Sequence, residues 1–379
     1  MSAQARPVLI AAGGTGGHLF PAEALAVALG KRGVRVALAT DGRVDRIAKT
    51  FPAAEVIHIP SATPSGGSAL AKGLAALKLA RGVLSSLRAL RAMRPACIVG
   101  FGGYPTVPPV LAGAMLGIPT LIHEQNGVIG RANKFLAPRA SAIATGFRKV
   151  KGIPESMAGK RHYTGNPIRP AVIEAAAIPY SPPEPGGTLR LAVFGGSQGA
   201  RVMSEIVPPA LLSLPEEARA RLAVDQQARA EDLEAVRLAY ARAGIAACVE
   251  PFFKDLPARM AAAHLVVSRS GASTVAELGA IGRPAILVPL PGALDQDQAA
   301  NAGTLAEIGA ATMILQPDFT PARVASEIAA RLADPSGLVR AAAAAKSAGV
   351  TDAADRLADI VLNLAGIAVS QGRPADTAS

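Results

Sequence analysis

Short apolar runs followed by small or polar residues, and then by segments with helical spacing, recur along the chain. The clearest example, residues 265–301, contains in order an apolar run at 265–267, a small polar turn at 268–273, a helical segment at 274–281 and an apolar run at 285–288. Ser273 or Thr274 is the expected cap of this helix, Gly282 lies just past its end, and a further helix is expected to start near Asn301. Such runs are typical of buried parallel strands, so the pattern predicts an α/β fold.

Three glycine-rich turns repeat the order of strand, turn and helix. They are GGTGGH at 13–18, which precedes a helix expected at 21–31, GFGGYP at 100–105 and GGSQGA at 195–200. Glycine lets a backbone approach another group closely, and the free N–H groups at a helix start attract an anion such as a diphosphate. The glycine spacing differs from the G-x-G-x-x-G pattern of dinucleotide sites, which disfavours an NAD-dependent oxidoreductase.

Polar residues also follow the apolar run at 119–122, which ends in HEQN at 123–126. Open α/β sheets bind their ligands at the carboxyl ends of the strands. His18, at the mouth of a helix, is a candidate base because an unperturbed imidazole titrates near neutral pH, and a purely structural hydrogen bond is its alternative role. Glu277, one turn into the helix after 268–273, can accept two hydrogen bonds from a ribose diol. An ordinary, well-capped βαβ unit is the alternative for that stretch.

The order of elements predicts two similar α/β halves joined by a segment rich in proline and glycine at 176–188. The predicted divisions are a first domain at 1–168, a linker at 169–188, a second domain at 189–349, a terminal helix at 350–367 that crosses back to the first domain, and a flexible tail at 368–379. Two such halves around a hinge predict a ligand cleft between them.

Composition narrows the class of protein. Half of the 379 residues are apolar, there is no Trp, and the two cysteines match no metal-binding spacing, which favours a reducing cytoplasm. Residues 1–165 contain 21 Lys and Arg against 6 Asp and Glu, and the remainder contains 18 against 22. The basic first half indicates an anionic partner. Aromatic residues for base stacking are scarce, so a membrane surface is favoured over nucleic acid.

Residues 69–94 form a long helical pattern in which leucines alternate with Lys and Arg and no acidic residue occurs. A basic amphipathic helix suits peripheral binding to anionic lipid, whereas a core helix with a solvated basic face is the alternative. Gly73 and Gly82 are possible breaks in this helix. The residues expected at the membrane are Leu74, Leu77, Lys72, Lys78 and Arg81.

Seven ordered blocks together carry a family resemblance. They are GGTGGHLFPA at 13–22, GFGGYPTVP at 100–108, HEQN at 123–126, TGNPIR at 164–169, GGSQGA at 195–200, SRSGASTVAE at 268–277 and DQDQAANA at 295–302. The chain resembles, over nearly its whole length, the bacterial N-acetylglucosaminyltransferases that glycosylate lipid I in peptidoglycan synthesis. The resemblance implies a GT-B fold, in which two Rossmann-like domains face across a cleft and the last helix returns to the first domain.

The resemblance also implies the substrates and the residues that bind them. The second domain is expected to bind UDP-GlcNAc, and the first to bind undecaprenyl-diphospho-MurNAc-pentapeptide at the cytoplasmic face of the inner membrane. The implied donor contacts are Thr15, Gly16, Gly17, Asn126, Arg169, Ser197, Phe253, Ala272, Ser273, Thr274, Val275, Ala276, Glu277 and Gln298. Gly14 and Tyr104 are assigned to the acceptor side. Asp297 departs from the family pattern, since a polar or ring side chain is usual there, and it either contacts the sugar or caps the next helix.

The expected reaction is an inverting transfer to the C4 hydroxyl of the muramyl sugar, with no metal and no cofactor. His18 is the first candidate for the general base and Glu124 the second. A glycosyltransferase acting on diacylglycerol would share the fold and the donor site, and a UDP-GlcNAc 2-epimerase would share the fold but should have more acidic residues in the cleft. A nucleotide-binding module without activity is a further alternative.

Overall fold

The computed structural model describes residues 6–13, 16–41, 51–62, 68–196, 199–292 and 296–368. Its strands are β1 (Val8–Ala11), β2 (Val36–Thr40), β3 (Glu55–His58), β4 (Cys97–Gly100), β5 (Thr120–Glu124), β6 (Ala142–Thr145), β7 (Arg161–Tyr163), β8 (Leu189–Phe194), β9 (Leu222–Gln227), β10 (Ala246–Glu250), β11 (Leu265–Ser268), β12 (Ala285–Leu287) and β13 (Ala311–Met313).

The α-helices of the described ranges alternate with these strands. They are α1 (Gly16–Lys31), α2 (Ala69–Met93), α3 (Val107–Met115), α4 (Arg131–Leu136), α5 (Pro170–Ala176), α6 (Arg201–Leu212), α7 (Glu216–Arg219), α8 (Leu233–Arg242), α9 (Leu256–Ala262), α10 (Ala272–Ile281), α11 (Asp297–Ala306), α12 (Pro321–Ala333), α13 (Pro335–Ser347) and α14 (Ala353–Ala365). The described part of the chain also contains three short 3-10 helices, at Tyr104–Thr106, Glu155–Lys160 and Gln316–Asp318.

The described strands form two parallel sheets. One has seven strands in the order β3-β2-β1-β4-β5-β6-β7, and the other has six in the order β10-β9-β8-β11-β12-β13. The central strands β1, β4 and β11 are buried along their whole length, because helices cover both faces of each sheet. The carboxyl ends of parallel strands meet at one edge, so each sheet gathers its turns there.

The terminal helix α14 packs on α1 of the first domain. Leu357 and Val361 of α14 are buried in one apolar cluster with Leu25 and Leu29 of α1. At the edge of this contact the guanidinium of Arg32 lies 2.8 Å from the Asp355 carboxylate. The predicted return of the last helix is therefore confirmed.

The stretch expected to be a linker, 169–188, begins with the helix α5, which packs on α9 and α10 of the second domain. The guanidinium of the buried Arg283 donates to the carbonyl oxygens of Ile178 and Pro179, each at 3.3 Å. It also lies 5.4 Å from the centroid of the Tyr180 ring. This end of the linker is thus fixed to the second domain.

Three helix starts differ from the expected positions. α1 begins at Gly16 rather than 21, and Pro21 lies inside it. α10 begins at Ala272 with Gly271 as its N-cap, so neither Ser273 nor Thr274 caps it. α11 begins at Asp297, four residues before Asn301. In each case the helix starts within the small or polar turn itself, which helical spacing of apolar residues does not reveal. Gly282, with φ 75°, ends α10 as predicted.

α2 is continuous through Gly73 and Gly82, so the predicted breaks are wrong. A Cβ at position 82 would overlap the carbonyl oxygen of Pro60 and lie 3.0 Å from the Pro108 side chain. Gly82 therefore permits close packing of α2 on its neighbours, which compensates for its low helix propensity.

Candidate active site between the two domains

The amino end of α10 presents unbonded backbone N–H groups. The first intrahelical bond runs from Val275 N to Gly271 O at 3.0 Å, and no side chain caps the helix. Among the described residues nothing bonds the N–H groups of Ala272, Ser273 and Thr274. A helix of ten residues with free N–H groups favours a negative charge at its start, such as a phosphate.

Glu277 lies in the second turn of α10 and forms an ion pair with Arg169 of the preceding interdomain segment. The distance from Arg169 Nη2 to Glu277 Oε1 is 3.2 Å. Burial raises the pKa of Glu277, and the Arg169 charge and hydrogen bond partly oppose this rise. The Arg169 guanidinium also lies 4.7 Å from the centroid of the Phe20 ring on α1. Arg169 therefore contacts both domains, and the two residues predicted from separate motifs lie together.

Asn301 is 0% exposed, and two of its three side-chain hydrogen bonds join the domains. Its Oδ1 accepts from Gly127 N at 2.8 Å, and its Nδ2 donates to Asn126 Oδ1 at 3.0 Å and to Ser270 O at 3.2 Å. Sequence reasoning assigned Asn126 to the site but missed Asn301. The signal was its place near the end of the DQDQAANA block, one of the seven blocks that carry the family resemblance.

Gln298 stands in the first turn of α11, beside this bridge. Its backbone oxygen accepts from Ser270 Oγ at 2.8 Å, and its side-chain Oε1 accepts from Leu290 N at 3.1 Å. Asp297 Oδ1 accepts from the Gln298 backbone N–H at 2.7 Å. Asp297 is itself the first residue of α11, whose N-cap is Gln296, and no side chain caps this helix, so the predicted capping role is wrong.

His18 lies in the first turn of α1 and packs on the glycine turn after β4. Cβ atoms built on Gly102 and Gly103 would each lie 3.4 Å from atoms of its imidazole ring. Burial lowers the pKa of His18, and the nearby Gln125 side chain and Phe101 carbonyl partly oppose this. Its Nδ1 has no hydrogen-bond partner among the described residues. Burial therefore favours the neutral form of the ring.

Glu124 is buried, and its carboxylate oxygens are occupied by the adjoining loop. Oε1 accepts from Asn126 N at 3.0 Å, while Oε2 accepts from Gly130 N at 2.9 Å and from Asn133 Nδ2 at 2.8 Å. Burial raises the pKa of Glu124, and these hydrogen bonds partly oppose the rise. These hydrogen bonds indicate that the Glu124 carboxylate holds Asn126 in place and does not accept a proton from the substrate.

The other predicted site residues lie around this region or outside the described residues. Gly16 and Gly17 begin α1, and the half-buried Tyr104 begins the 3-10 helix before α3. Phe253 is buried, with the Arg259 guanidinium 4.3 Å from its ring centroid. Val275 faces inward from α10, where Ala276 is half-buried. Gly14, Thr15 and Ser197 lie outside the described residues. Within the described ranges no three His, Cys, Asp or Glu side chains converge as metal ligands.

The basic face of α2 is exposed. Leu74, Leu77 and Leu84 are 59%, 58% and 57% exposed, and Lys72 and Arg81 are also exposed. Lys78, likewise exposed, lines a cavity of about 540 Å³ together with Asp41 and His58. None of the helices in the described ranges is both long and apolar enough to span a bilayer.

Comparisons with known proteins agree over most of the chain. Residues 8–145 match the model of the glycosyltransferase family 28 N-terminal domain, and residues 190–357 match that of the family 28 C-terminal domain. A UDP-N-acetylglucosamine–N-acetylmuramyl-(pentapeptide) pyrophosphoryl-undecaprenol N-acetylglucosamine transferase of Methylobacterium radiotolerans is 63% identical over 359 residues, covering 94% of this chain and 97% of its own.

Solved structures show the same architecture. The crystal structure of Acinetobacter baumannii MurG has a TM-score of 0.77 and 30% identity, covering 94% of this chain and 99% of its own. A UDP-GlcNAc 2-epimerase from Neisseria meningitidis, with a TM-score of 0.64 at 13% identity over 94% of this chain and 100% of its own, is similar in fold alone. The predicted GT-B fold and the predicted resemblance are confirmed. The chain belongs to the family of UDP-N-acetylglucosamine–N-acetylmuramyl-(pentapeptide) pyrophosphoryl-undecaprenol N-acetylglucosamine transferases, within glycosyltransferase family 28.

Proposed function

We propose that this chain transfers GlcNAc from UDP-GlcNAc to the C4 hydroxyl of undecaprenyl-diphospho-MurNAc-pentapeptide. The main support is the position of the groups suited to bind a sugar nucleotide. They lie on the second domain, and two polar contacts connect them to the first domain. These contacts are the pair Arg169 and Glu277 and the pair Asn126 and Asn301. Family membership over nearly the full length supports the same substrates.

The donor is expected to lie along the start of α10 and α11. The N–H groups of Ala272 to Thr274, with Arg169, would stabilise the diphosphate as negative charge develops on it. Glu277 would accept hydrogen bonds from the ribose hydroxyls, and the backbone near Phe253 would meet the uracil. Gln298 and Asn126 would hold the sugar. Glu277 and Arg169 already form an ion pair. Their side chains therefore lose little conformational entropy when the donor binds.

The acceptor hydroxyl is expected near His18. Its oxygen attacks the anomeric carbon, the bond from that carbon to the diphosphate oxygen breaks, and UDP leaves with the electron pair. The hydroxyl proton passes to the imidazole of His18, whose neutral form is favoured by burial. The occupied Glu124 carboxylate acts as a positioning group for Asn126. Attack from the face opposite UDP inverts the anomeric centre.

We further propose that α2 attaches the enzyme peripherally to the cytoplasmic face of the inner membrane. Exposed leucines beside exposed cations suit anionic lipid, and each cation near such a surface contributes roughly 1 kcal/mol. Asp41, which lines the cavity beside Lys78, also lies next to the first glycine turn, because a Cβ on Gly13 would lie 3.1 Å from Asp41 Oδ1. This cavity offers the lipid-linked acceptor a path from the membrane to the cleft.

A transfer assay tests this function. Radiolabelled UDP-GlcNAc is incubated with a lipid I analogue or with diacylglycerol, each with and without EDTA. We expect transfer to the lipid I analogue that survives EDTA, because the proposed diphosphate contacts are N–H groups and Arg169. Transfer to diacylglycerol alone would keep the donor site and overturn the acceptor. Binding of UDP-GlcNAc without transfer to either would favour a 2-epimerase or a nucleotide-binding module.

A further inference from the structure

A cavity of about 820 Å³ lies between the two domains, beyond the Asn126–Asn301 bridge. Its first-domain wall comes from the loops after β5, β6 and β7, and its second-domain wall comes from α10, α11 and the segment 347–350. The volume falls within the roughly 300–1,000 Å³ of ordinary ligand clefts. None of the groups assigned above to the donor diphosphate, the ribose or the acceptor base supplies a charged side chain to it.

The cavity adjoins the end of the site where the donor sugar is expected. Gly127, in its wall, directly follows Asn126, and Gln296 and Ala299 lie on either side of Gln298 along the chain. The two walls meet where a Cβ on Gly127 would lie 3.2 Å from the Ala300 Cβ. The sugar end and this cavity are therefore neighbours on the two sides of the contact between Gly127 and Ala300.

Three cations mark the first-domain side of the cavity, namely Arg148, Lys149 and Lys151, and none is ion-paired with a described residue. The Arg148 guanidinium lies over the Tyr163 ring, 4.6 Å from its centroid. The backbone of Lys151 is held by two hydrogen bonds, from its N–H to Gly127 O at 2.8 Å and from Ile129 N to its carbonyl oxygen at 2.9 Å. The Arg148 side chain and the Lys151 backbone are thus held in place by these contacts.

The interior of the cavity is mostly apolar, with one polar group left over. Phe147, Leu305 and Val350 are among its apolar lining. Asn166 also lines it and is 4% exposed; its Nδ2 donates to Gln125 O at 2.9 Å, while its buried Oδ1 has no hydrogen-bond partner in the described parts of the chain. An unpartnered buried oxygen favours a ligand that donates a hydrogen bond, such as an amide N–H. Glu307 also lines the cavity, on its second-domain side, so a ligand's negative charge is expected at the cations of the first-domain side. The lining therefore suits a chain with amide groups, small apolar side chains and a negative charge at that side.

We propose that this cavity is a subsite for the peptide of the acceptor, an inference that rests on the proposed function. The muramyl sugar carries its peptide through the lactyl group on C3, next to the C4 hydroxyl that attacks the donor sugar. A peptide attached by its amino end keeps a free carboxylate at its other end. Five residues span at most about 17 Å when extended. The cations adjoin the sugar end, because Lys151 N–H donates to the oxygen of Gly127, the residue after Asn126, at 2.8 Å.

The test compares two acceptors and two sets of variants. The acceptors are a lipid I analogue with the full pentapeptide and one with a single amidated amino acid, which has no carboxylate. The variant is the pair Arg148→Gln and Lys151→Gln, and the control is Arg242→Gln, an exposed cation at the end of α8 in the second domain. All the substituted side chains are exposed, so each variant is expected to have the same Tm as the unchanged chain.

We expect the double variant to raise the KM for the pentapeptide acceptor roughly tenfold, as the loss of two exposed charge contacts allows. Its KM for the amidated acceptor and for UDP-GlcNAc should stay within about twofold, and Arg242→Gln should change neither. A rise of equal size for both acceptors would assign the cations to the diphosphate or the membrane, and no rise for either would leave the peptide outside the cavity; both results overturn the subsite. Failure of the proposed function differs, since the unchanged chain would then glycosylate neither acceptor.

Discussion

Replacing Asn301 by alanine should separate the two walls of the active site. The change removes all three hydrogen bonds of a side chain that is 0% exposed, leaving Gly127 N, Asn126 Oδ1 and Ser270 O without their partner. Two of the three bonds cross between the domains, those to Gly127 N and Asn126 Oδ1. A net hydrogen bond contributes about 1 kcal/mol, so the docked arrangement of the domains loses roughly 2 kcal/mol unless water replaces the amide. Since 1.4 kcal/mol is a factor of ten, kcat/KM for the donor should fall between tenfold and about a hundredfold.

Steady-state kinetics with UDP-GlcNAc and a lipid I analogue measure this loss. Asn301→Asp provides a graded comparison, because its carboxylate still accepts from Gly127 N but no longer donates to Asn126 and Ser270. Asn363→Ala, on the exposed side of α14, provides the matched control. Unchanged kcat and KM for Asn301→Ala, in a protein that melts normally, would refute the idea that this bridge holds Asn126 for the donor.

Three further predictions concern the base, the ribose contact and the membrane face. His18→Ala should lower kcat by roughly 10²- to 10⁴-fold with little change in donor Kd, and near-normal turnover would exclude this residue as the base. In the unchanged enzyme kcat should fall on acidification only below pH 6.5, because burial lowers the pKa of His18. Glu277→Gln should raise the donor KM, and an unaltered KM would reject the ribose contact. In the unchanged enzyme the donor KM should rise on acidification at a pH above the usual Glu range, because burial raises the pKa of Glu277. Glu277→Gln should abolish this rise. The double variant Leu74→Asp, Leu77→Asp should cosediment less with anionic vesicles, while its turnover of a water-soluble acceptor stays unchanged. Undiminished cosedimentation would show that the membrane contact lies elsewhere on the surface.

The sequence predicted those parts of the fold that local patterns encode. Apolar runs marked the buried strands, and the glycine at 282 marked the end of α10, because both depend on neighbouring residues in the chain. Helix starts were less predictable. At Gly16 and Asp297 the helices begin inside glycine-rich or polar turns, where apolar spacing does not mark the boundary.

The candidate site shows the same division. Glu277 and Arg169 could be assigned singly from their motifs, but their ion pair joins positions 108 residues apart. The bridge from Asn301 to Asn126 joins positions 175 residues apart. Glu124 resembled a possible base in the sequence, and only the folded loop places Asn126, Gly130 and Asn133 around its oxygens. Contacts between domains depend on how the two sheets meet, which local patterns do not encode.

The stereochemistry and position of the new glycosidic bond test the central claim most directly. The product from UDP-GlcNAc and a lipid I analogue is isolated, and the proton NMR spectrum of its disaccharide is recorded. Attack by the C4 hydroxyl on the face opposite UDP predicts a β-linkage to C4, with a large coupling between the axial protons on C1 and C2 of the transferred sugar. An α-linkage, or attachment at another hydroxyl, would contradict the proposed placement of donor and acceptor across this cleft.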